Sequence, residues 1–373
     1  MATTSRSPQP LVFLLCFSSF TFIVVLGQRE VPSALVSLSN VTDQFALLSF
    51  KHLITKDPYN VLSSWNSNIS FCDWNRVSCS RGSQRVDGLD LSGMALERTI
   101  FPYISNLSFL EVLDLSNDSF HGNLPINFSC LPSLKVLSIW GNHFKGLIPQ
   151  TLGHCHHLQV LLAAKNEFYG SIPQFLGGLL ELKRINIYGN RLTGTIPVAL
   201  ANLTKLEWFS ISQNQIQGNI PPELGSLTHL TFFNVQMNNL TGTLPESLSS
   251  LSFMTNQLTG HLPKDAGRFL PNLQQLYMGE NNFDGPLPAS LSNATRFQRL
   301  TAERNKSSGP IPLELGSLSQ LIYLSFWGNM LTNVPGNREL SILTSFTQCE
   351  MLEEVWIVII QDVFFPTWCH IPL

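Results

Sequence analysis

Leu182-Lys-Arg-Ile-Asn-Ile-Tyr-Gly-Asn-Arg-Leu-Thr-Gly-Thr-Ile-Pro197 is the stretch whose pattern decides the fold. Stripped to its apolar and special positions it reads L-x-x-I-x-I-x-x-N-x-L-x-G-x-I-P, and the same skeleton returns along the chain. The asparagine position counts the period: Asp118, Asn142, Asn166, Asn190, Asn214 and Asn238 are each 24 residues apart. A unit of that length cannot bury its own apolar side, so the units must stack and the chain becomes a solenoid. Ile185 and Ile187, at alternating positions, enter the core and send Asn186 and Tyr188 outward. Asn190 falls where the strand ends, and its short amide can bond backbone groups that the turning chain would otherwise bury unpaired. Gly194 permits a tight bend, and Pro197 stops the ladder from continuing.

Working outward, repeats run from about Val86 to about Pro335, with a further strand opening at Leu352. This predicts ten to eleven units over 86–357 and a non-repeat tail over 358–373. One unit breaks the register. The step from Asn238 to Asn256 is 18 and the next, to Asn281, is 25. Six residues are absent just before Met254-Thr255-Asn256, so the unit near 248–256 is expected to lack its strand. The last repeat shows no polar cap in the sequence, which leaves an apolar end open.

A chain of 373 residues would ordinarily hold two or three globular domains, but a repeat core grows one unit at a time and overrides that expectation. The net charge of −3 and 13% charged residues provide no strong field, which argues against nucleic acid or an anionic membrane surface as partner. Residues 1–27 have the form of a signal peptide: Arg6, an uncharged apolar run from Leu11 to Leu26, then Gly27. The apolar run is shorter than the roughly 20 residues a spanning helix needs, and no second candidate follows. The context is therefore secretory, and Cys72 and Cys79, just ahead of the repeats, read as a disulfide staple in a cap over 28–85. Two metal-binding thiols would need a second ligand pair. Cys130 and Cys155, near the ends of successive repeats, read as buried free thiols. Thr42 to Ile54 reads as an amphipathic helix started by Thr42 or Asp43, with Phe45, Leu48, Phe50 and Leu53 on its apolar stripe.

Asp43 to Lys51, Leu62-Ser-Ser-Trp65 and the Cys72 to Cys79 segment together resemble the N-terminal cap of plant leucine-rich-repeat receptors. The form L-x-G-x-I-P, as in Leu192 to Pro197 and Ile216 to Pro221, resembles the plant-specific repeat subtype. Leu262 to Leu276 and Ala289 to Thr295 are most similar to the receptor-kinase subfamily that contains the bacterial flagellin and elongation-factor receptors. The resemblance covers roughly residues 40 to 355. It implies an α/β repeat fold: a right-handed leucine-rich-repeat solenoid with a parallel concave sheet and a disulfide-stapled helical N-terminal cap. It also implies a glycosylated ectodomain that perceives extracellular signals. Arg76 stands where the family's cap usually has glycine, and the pattern disappears from Val358, so the chain reads as a receptor ectodomain truncated before its membrane span and kinase.

No catalytic constellation is present: neither the phosphate loop and His-Arg-Asp or Asp-Phe-Gly triplets of a kinase nor a zinc-protease motif. His154-Cys155-His156-His157 is too closely spaced to converge on one ion and reads as a solvated turn around a buried thiol. No enzyme, metal or cofactor is expected. Recognition is the better reading. Residues between the apolar positions of each strand form columns on the concave face. One column runs Val112, Val136, Val160, Arg184, Trp208, Phe232, Gln275, Arg299, Tyr323; its neighbour runs Ser116, Trp140, Ala164, Tyr188, Ser212, Gln236, Gly279, Glu303, Trp327. Exposed aromatics beside arginine are what binding hot spots are made of, although aromatics on adjacent rungs also pack on one another. The ligand-binding candidates are Trp140, Arg184, Tyr188, Trp208 and Phe232, with Arg299, Glu303, Tyr323 and Trp327 as a second patch. Sequons stand at Asn40, Asn68, Asn106, Asn117, Asn127, Asn202, Asn239, Asn293 and Asn305, of which Asn305 also occupies the repeated asparagine position. The expected function is extracellular recognition of a peptide or protein, with a co-receptor kinase as further partner. The alternatives are a secreted inhibitor or decoy of a microbial wall-degrading enzyme and a truncated receptor without function.

Overall fold

The structure, a computed structural model, describes residues 34–99, 102–124, 126–244, 251–269, 273–333, 341–359 and 367–372. The signal segment expected over 1–27 lies outside them. A 14-stranded sheet lines one side of the molecule. It is parallel from Val86–Asp90 to Glu354–Ile359, with one antiparallel strand at each end, Val77–Cys79 and Thr367–Pro372. Register between regular rungs is one whole unit, as in Ile185 against Leu161 and Phe209. Short 3-10 helices such as Gln174–Gly178 and Val198–Asn202 line the opposite, convex side. Between the two sides each unit buries the residues its pattern marks as apolar, for example Leu182, Ile185, Ile187, Leu192, Ile196 and Leu200, all at 2% exposure or less. Full burial of one such side chain stabilises by about 1.5–3 kcal/mol, so a unit depends on neighbours at both faces. Phe120, Phe144 and Phe168 stack at 6.2 and 6.4 Å between ring centres and carry the core across three early rungs.

The asparagine column works as read. Asn190 Nδ2 donates to the carbonyls of Ala163, Ile187 and Tyr188 at 3.0, 3.0 and 3.3 Å, and its Oδ1 accepts from Phe168 N at 3.0 Å. One side chain thus satisfies backbone groups of its own rung and the preceding one. The residue before each ladder position is left-handed, from Asn117 through Lys165, Gln213 and Met237 to Gly328, with φ between 50° and 69°. At Gly194 φ is 76° and an added Cβ would lie 3.2 Å from Ser171 Cβ, so that bend needs glycine on two counts.

The shortened unit corrects the reading of a missing strand. Leu251–Ser252 is a two-residue strand paired parallel with both neighbours, Phe233 and Asn234 on one side, Leu276 and Tyr277 on the other. Asn256 still holds its ladder bonds, to Val235 O and Phe253 O at 3.0 Å each. Aligned from the asparagine, Leu251 and Phe253 take the places of Phe233 and Val235. The six lost residues therefore correspond to Leu227 through Phe232, most of them the link between convex helix and strand.

The cap also differs from expectation. Its helix spans Ala34–Leu53, so Thr42 and Asp43 are interior rather than caps. Ala46, Leu47 and Phe50 form the buried stripe, while Phe45 is 56% exposed and meets Tyr103 edge-on. Asp43 is fully buried and receives Arg85 Nε and Nη2 at 2.8 Å each, with Val86 N at 3.0 Å. Trp65 stacks on Trp74 at 5.5 Å, and Cys72 is bonded to Cys79. Arg76 keeps the turn with a left-handed φ of 68°, the conformation that favours the family's glycine.

Cys130 and Cys155 prove unlike. Cys155 is a buried free thiol, its pKa pushed up to about 12 by burial. Cys130 is half-buried and disulfide-bonded, against the reading of a free thiol. The two are 25 residues apart, one more than the period. That offset sets Cys155 in register with the buried Leu131 and Cys130 in register with the exposed His154. At the other end, Thr367–Pro372 pairs antiparallel with Glu354–Ile359 from Glu354↔Pro372 to Ile359↔Thr367, so the last parallel strand is not left with an open edge.

Candidate recognition surface

The register places the first column as a continuous line. Val112, Val136, Val160, Arg184, Trp208 and Phe232 pair in succession, and Gln275, Arg299, Tyr323 and Glu354 continue it beyond the short rung. Three of these residues form one stack. Trp208 and Phe232 lie face to face at 3.6 Å between ring centres, and the Arg184 guanidinium sits 5.3 Å from the Trp208 ring. The two aromatics pack on each other, and Trp208 and Phe232 nonetheless remain only half-buried while Arg184 is exposed. Such a stack is held by dispersion and ring quadrupoles and presents rigid faces to a partner at little entropic cost.

Tyr188 is not part of that stack. It stands in the neighbouring column, where the Lys165 ammonium lies 5.8 Å from its ring. Trp140, farther along the same column, is 37% exposed. The second patch divides likewise. Arg299 sits 5.9 Å from the Tyr323 ring, and Trp327 is covered by Arg304 at 4.6 Å. Lys165 and Arg304 were missed by a column reading because they occupy the variable left-handed position before the ladder asparagine. Glu303 folds over Gly279, where an added Cβ would lie 2.7 Å from its carboxyl carbon. Burial raises its pKa, with Glu280 adding to the rise, against the opposing pull of hydrogen bonds and Arg304. A third, central column carries Ser252 on the short rung between Asn234 and Tyr277 on its two neighbours. A recess of about 230 Å³ opens there, bounded by Phe232, Gln236, Ser252, Met254, Gln275 and Tyr277.

Of the sequons, Asn68, Asn117, Asn127, Asn202, Asn239 and Asn293 are exposed and Asn106 is half-buried. The side chain of Asn40 lies outside what the structure describes. Asn305 is corrected: it is 7% exposed, donates to Met278 O at 3.0 Å and Ala302 O at 3.1 Å, and accepts from Phe283 N at 3.0 Å. Its amide is committed to the ladder and has no room for a glycan. His154, His156 and His157 face solvent, and among the described residues no cluster of three or more His, Cys, Asp or Glu could hold a metal ion. Among them too, no helix is long and apolar enough to cross a membrane.

Comparison with known families fits this geometry. A leucine-rich repeat region matches residues 92–258, a leucine-rich repeat N-terminal domain 41–80 and a further leucine-rich repeat 272–294. The chain belongs to the leucine-rich-repeat family. Among its relatives is the LRR receptor-like serine/threonine-protein kinase EFR of Arabidopsis thaliana, 39% identical over 116 residues, which are 31% of this chain and 11% of EFR. Among solved structures, the ectodomain of the Arabidopsis receptor kinase HAESA in complex with an extended IDA peptide hormone superposes with a TM-score of 0.73 at 31% identity, over 87% of this chain and 53% of that one. A plant ice-binding protein superposes with a TM-score of 0.70 at 26% identity, over 79% of this chain and 96% of that one. This leucine-rich-repeat chain therefore spans 11% of EFR and of another Arabidopsis receptor-like protein kinase that it matches, and about half of the HAESA ectodomain. The matches to kinases fall on their ectodomains.

Proposed function

We propose that the chain is an extracellular recognition module that binds a peptide or protein on its concave face, acting in defence or developmental signalling with a co-receptor kinase as partner. The Arg184–Trp208–Phe232 stack carries this reading. It is a rigid, half-desolvated aromatic anchor with a cation at one end, set midway along the sheet, and such anchors dominate interface energy. The HAESA complex supports the reading, since there the same fold holds a peptide hormone. An ice-binding role fits less well: a repeating lattice is matched by repeated side chains, whereas Val160, Arg184, Trp208, Phe232 and Gln275 differ at every step. Signal-like residues, the Cys72–Cys79 bond and exposed sequons support secretion.

The test is to secrete the glycosylated chain from plant cells and pan it with a display library of random linear peptides, remeasuring enriched peptides on Trp208→Ala. Enrichment with a loss of about tenfold or more in affinity on the variant is expected. No enrichment, or unchanged affinity on the variant, overturns the proposal.

A further inference from the structure

We propose that the recess over the short rung is a specificity pocket for one aromatic or large aliphatic side chain of an extended peptide, flanked by two donors for that peptide's backbone carbonyls. The inference rests on the concave-face reading above and adds what the ligand must carry.

The recess has a structural origin. On a regular rung a full strand sends its side chains onto the concave face. Here the strand is reduced to Leu251–Ser252, and Ser252 is a small residue between Asn234 and Tyr277. Phe232 and Tyr277 wall the resulting gap, and Met254, an adaptable thioether, lines it as well. At about 230 Å³ it is smaller than the roughly 300–1,000 Å³ of small-molecule sites, which suits a single inserted side chain rather than a whole ligand. Among the described residues none that lines it is charged. A buried charge would therefore go unpaired, and an apolar group is selected.

Two glutamines set the polar requirement. Ser252 Oγ donates to Gln236 Oε1 at 3.0 Å, and Tyr277 Oη donates to Gln275 Oε1 at 3.1 Å. In each case the amide oxygen is held from within, and among the described residues neither amide nitrogen has a partner. The two NH₂ groups are thus oriented donors at the rim, fit for backbone carbonyls on either side of an inserted residue. The Arg184–Trp208–Phe232 stack ends against this rim through Phe232, so one ligand can lie on the stack and enter the recess together.

The experiment pans the random peptide library against the secreted chain and remeasures enriched peptides on three variants: Gln275→Trp, a copy of residues 227–232 inserted before Leu251, and Leu180→Ser as an exposed control. The first two close the recess. The expected result is a shared aromatic or large aliphatic position in the enriched peptides. Replacing that residue by alanine, or closing the recess either way, should weaken binding about tenfold or more, while Leu180→Ser leaves it unchanged. Circular dichroism checks folding; should both closing variants misfold, the alanine-substituted peptides on the parent chain decide. Peptides with no shared apolar position, or with full affinity for folded Gln275→Trp, overturn the proposal. If such peptides still lose affinity on Trp208→Ala, the concave-face reading stands and only the pocket falls; if nothing enriches, both fall.

Discussion

Two buried aspartates, one at the cap junction and one in the repeat column, meet opposite fates. Asp43 is 0% exposed and each carboxylate oxygen receives a donor, from Arg85 or from both Arg85 and Val86. Asp118 is 9% exposed and stands where later rungs place asparagine. Its Oδ1 accepts from Leu96 N at 2.9 Å, but among the described residues its Oδ2 has no hydrogen-bond partner. In the next rung the atom in that place is Asn142 Nδ2, which donates to the carbonyls of Leu115, Ile139 and Trp140. An ionised Oδ2 can only accept, so it faces acceptors. Burial accordingly pushes the Asp118 pKa up from 3.8 to about 6, backbone donors notwithstanding. The same side chain joins two parts of the fold in one place and strains a ladder in the other, and partners rather than burial decide which.

The comparison can be broken most directly with Asp43→Asn. It strands the Arg85 guanidinium, 8% exposed, in the cap junction and should cost about 3–5 kcal/mol, read as a lowered thermal midpoint or release of the cap to proteolysis. Asn190→Asp transplants the strained arrangement to a regular rung. It should lose about 2–3 kcal/mol at pH 7.5 and recover much of it at pH 4, measured by denaturant melts. Asp118→Asn should do the reverse and stabilise by about 2–3 kcal/mol at pH 7.5. The sign follows from the raised pKa: the folded state binds the proton more tightly than the unfolded chain. Asp118 is therefore harmless below its ordinary 3.8, destabilises increasingly as pH rises from there to about 6 and by a constant amount above it, so the gain should vanish near pH 3.5. A gain that persists there would mean shape, not charge, sets the effect. The smallest change expected is from Arg76→Gly. Relieving a φ of 68° should add about 1 kcal/mol, little offset by loss of the exposed 3.4 Å contact with Asp90, and an unchanged midpoint would show the turn to be unstrained.

Legibility followed the period. A contact between rungs is a contact between residues 24 apart, so wherever the count holds, apolar ladder, asparagine column and concave columns can be written down in advance. Arg184 beside Trp208 and Trp208 beside Phe232 are of this kind. The left-handed position before each asparagine escaped notice because lysine, glutamine, methionine and glycine all occupy it: the ladder on both sides imposes the backbone angle whatever the residue. Cys130 was misread by a one-residue offset that the same arithmetic could have caught.

What the sequence determined by itself was the stacked repeat, the strands' buried faces, the residues that tie rung to rung and the Cys72–Cys79 staple. Each follows from local periodicity or adjacency, and stacking converts that pattern into space by a fixed rule. Only the tertiary structure decided that Asp43 would meet Arg85, 42 residues away, since no period relates a cap to a repeat. It also decided that the unit six residues short would keep a strand at Leu251–Ser252 and open a recess beside it. Backbone hydrogen bonds from the rungs on both sides template a strand wherever two residues can reach. Side-chain volume follows no such template, so the shortened strand leaves space beside it on the concave face.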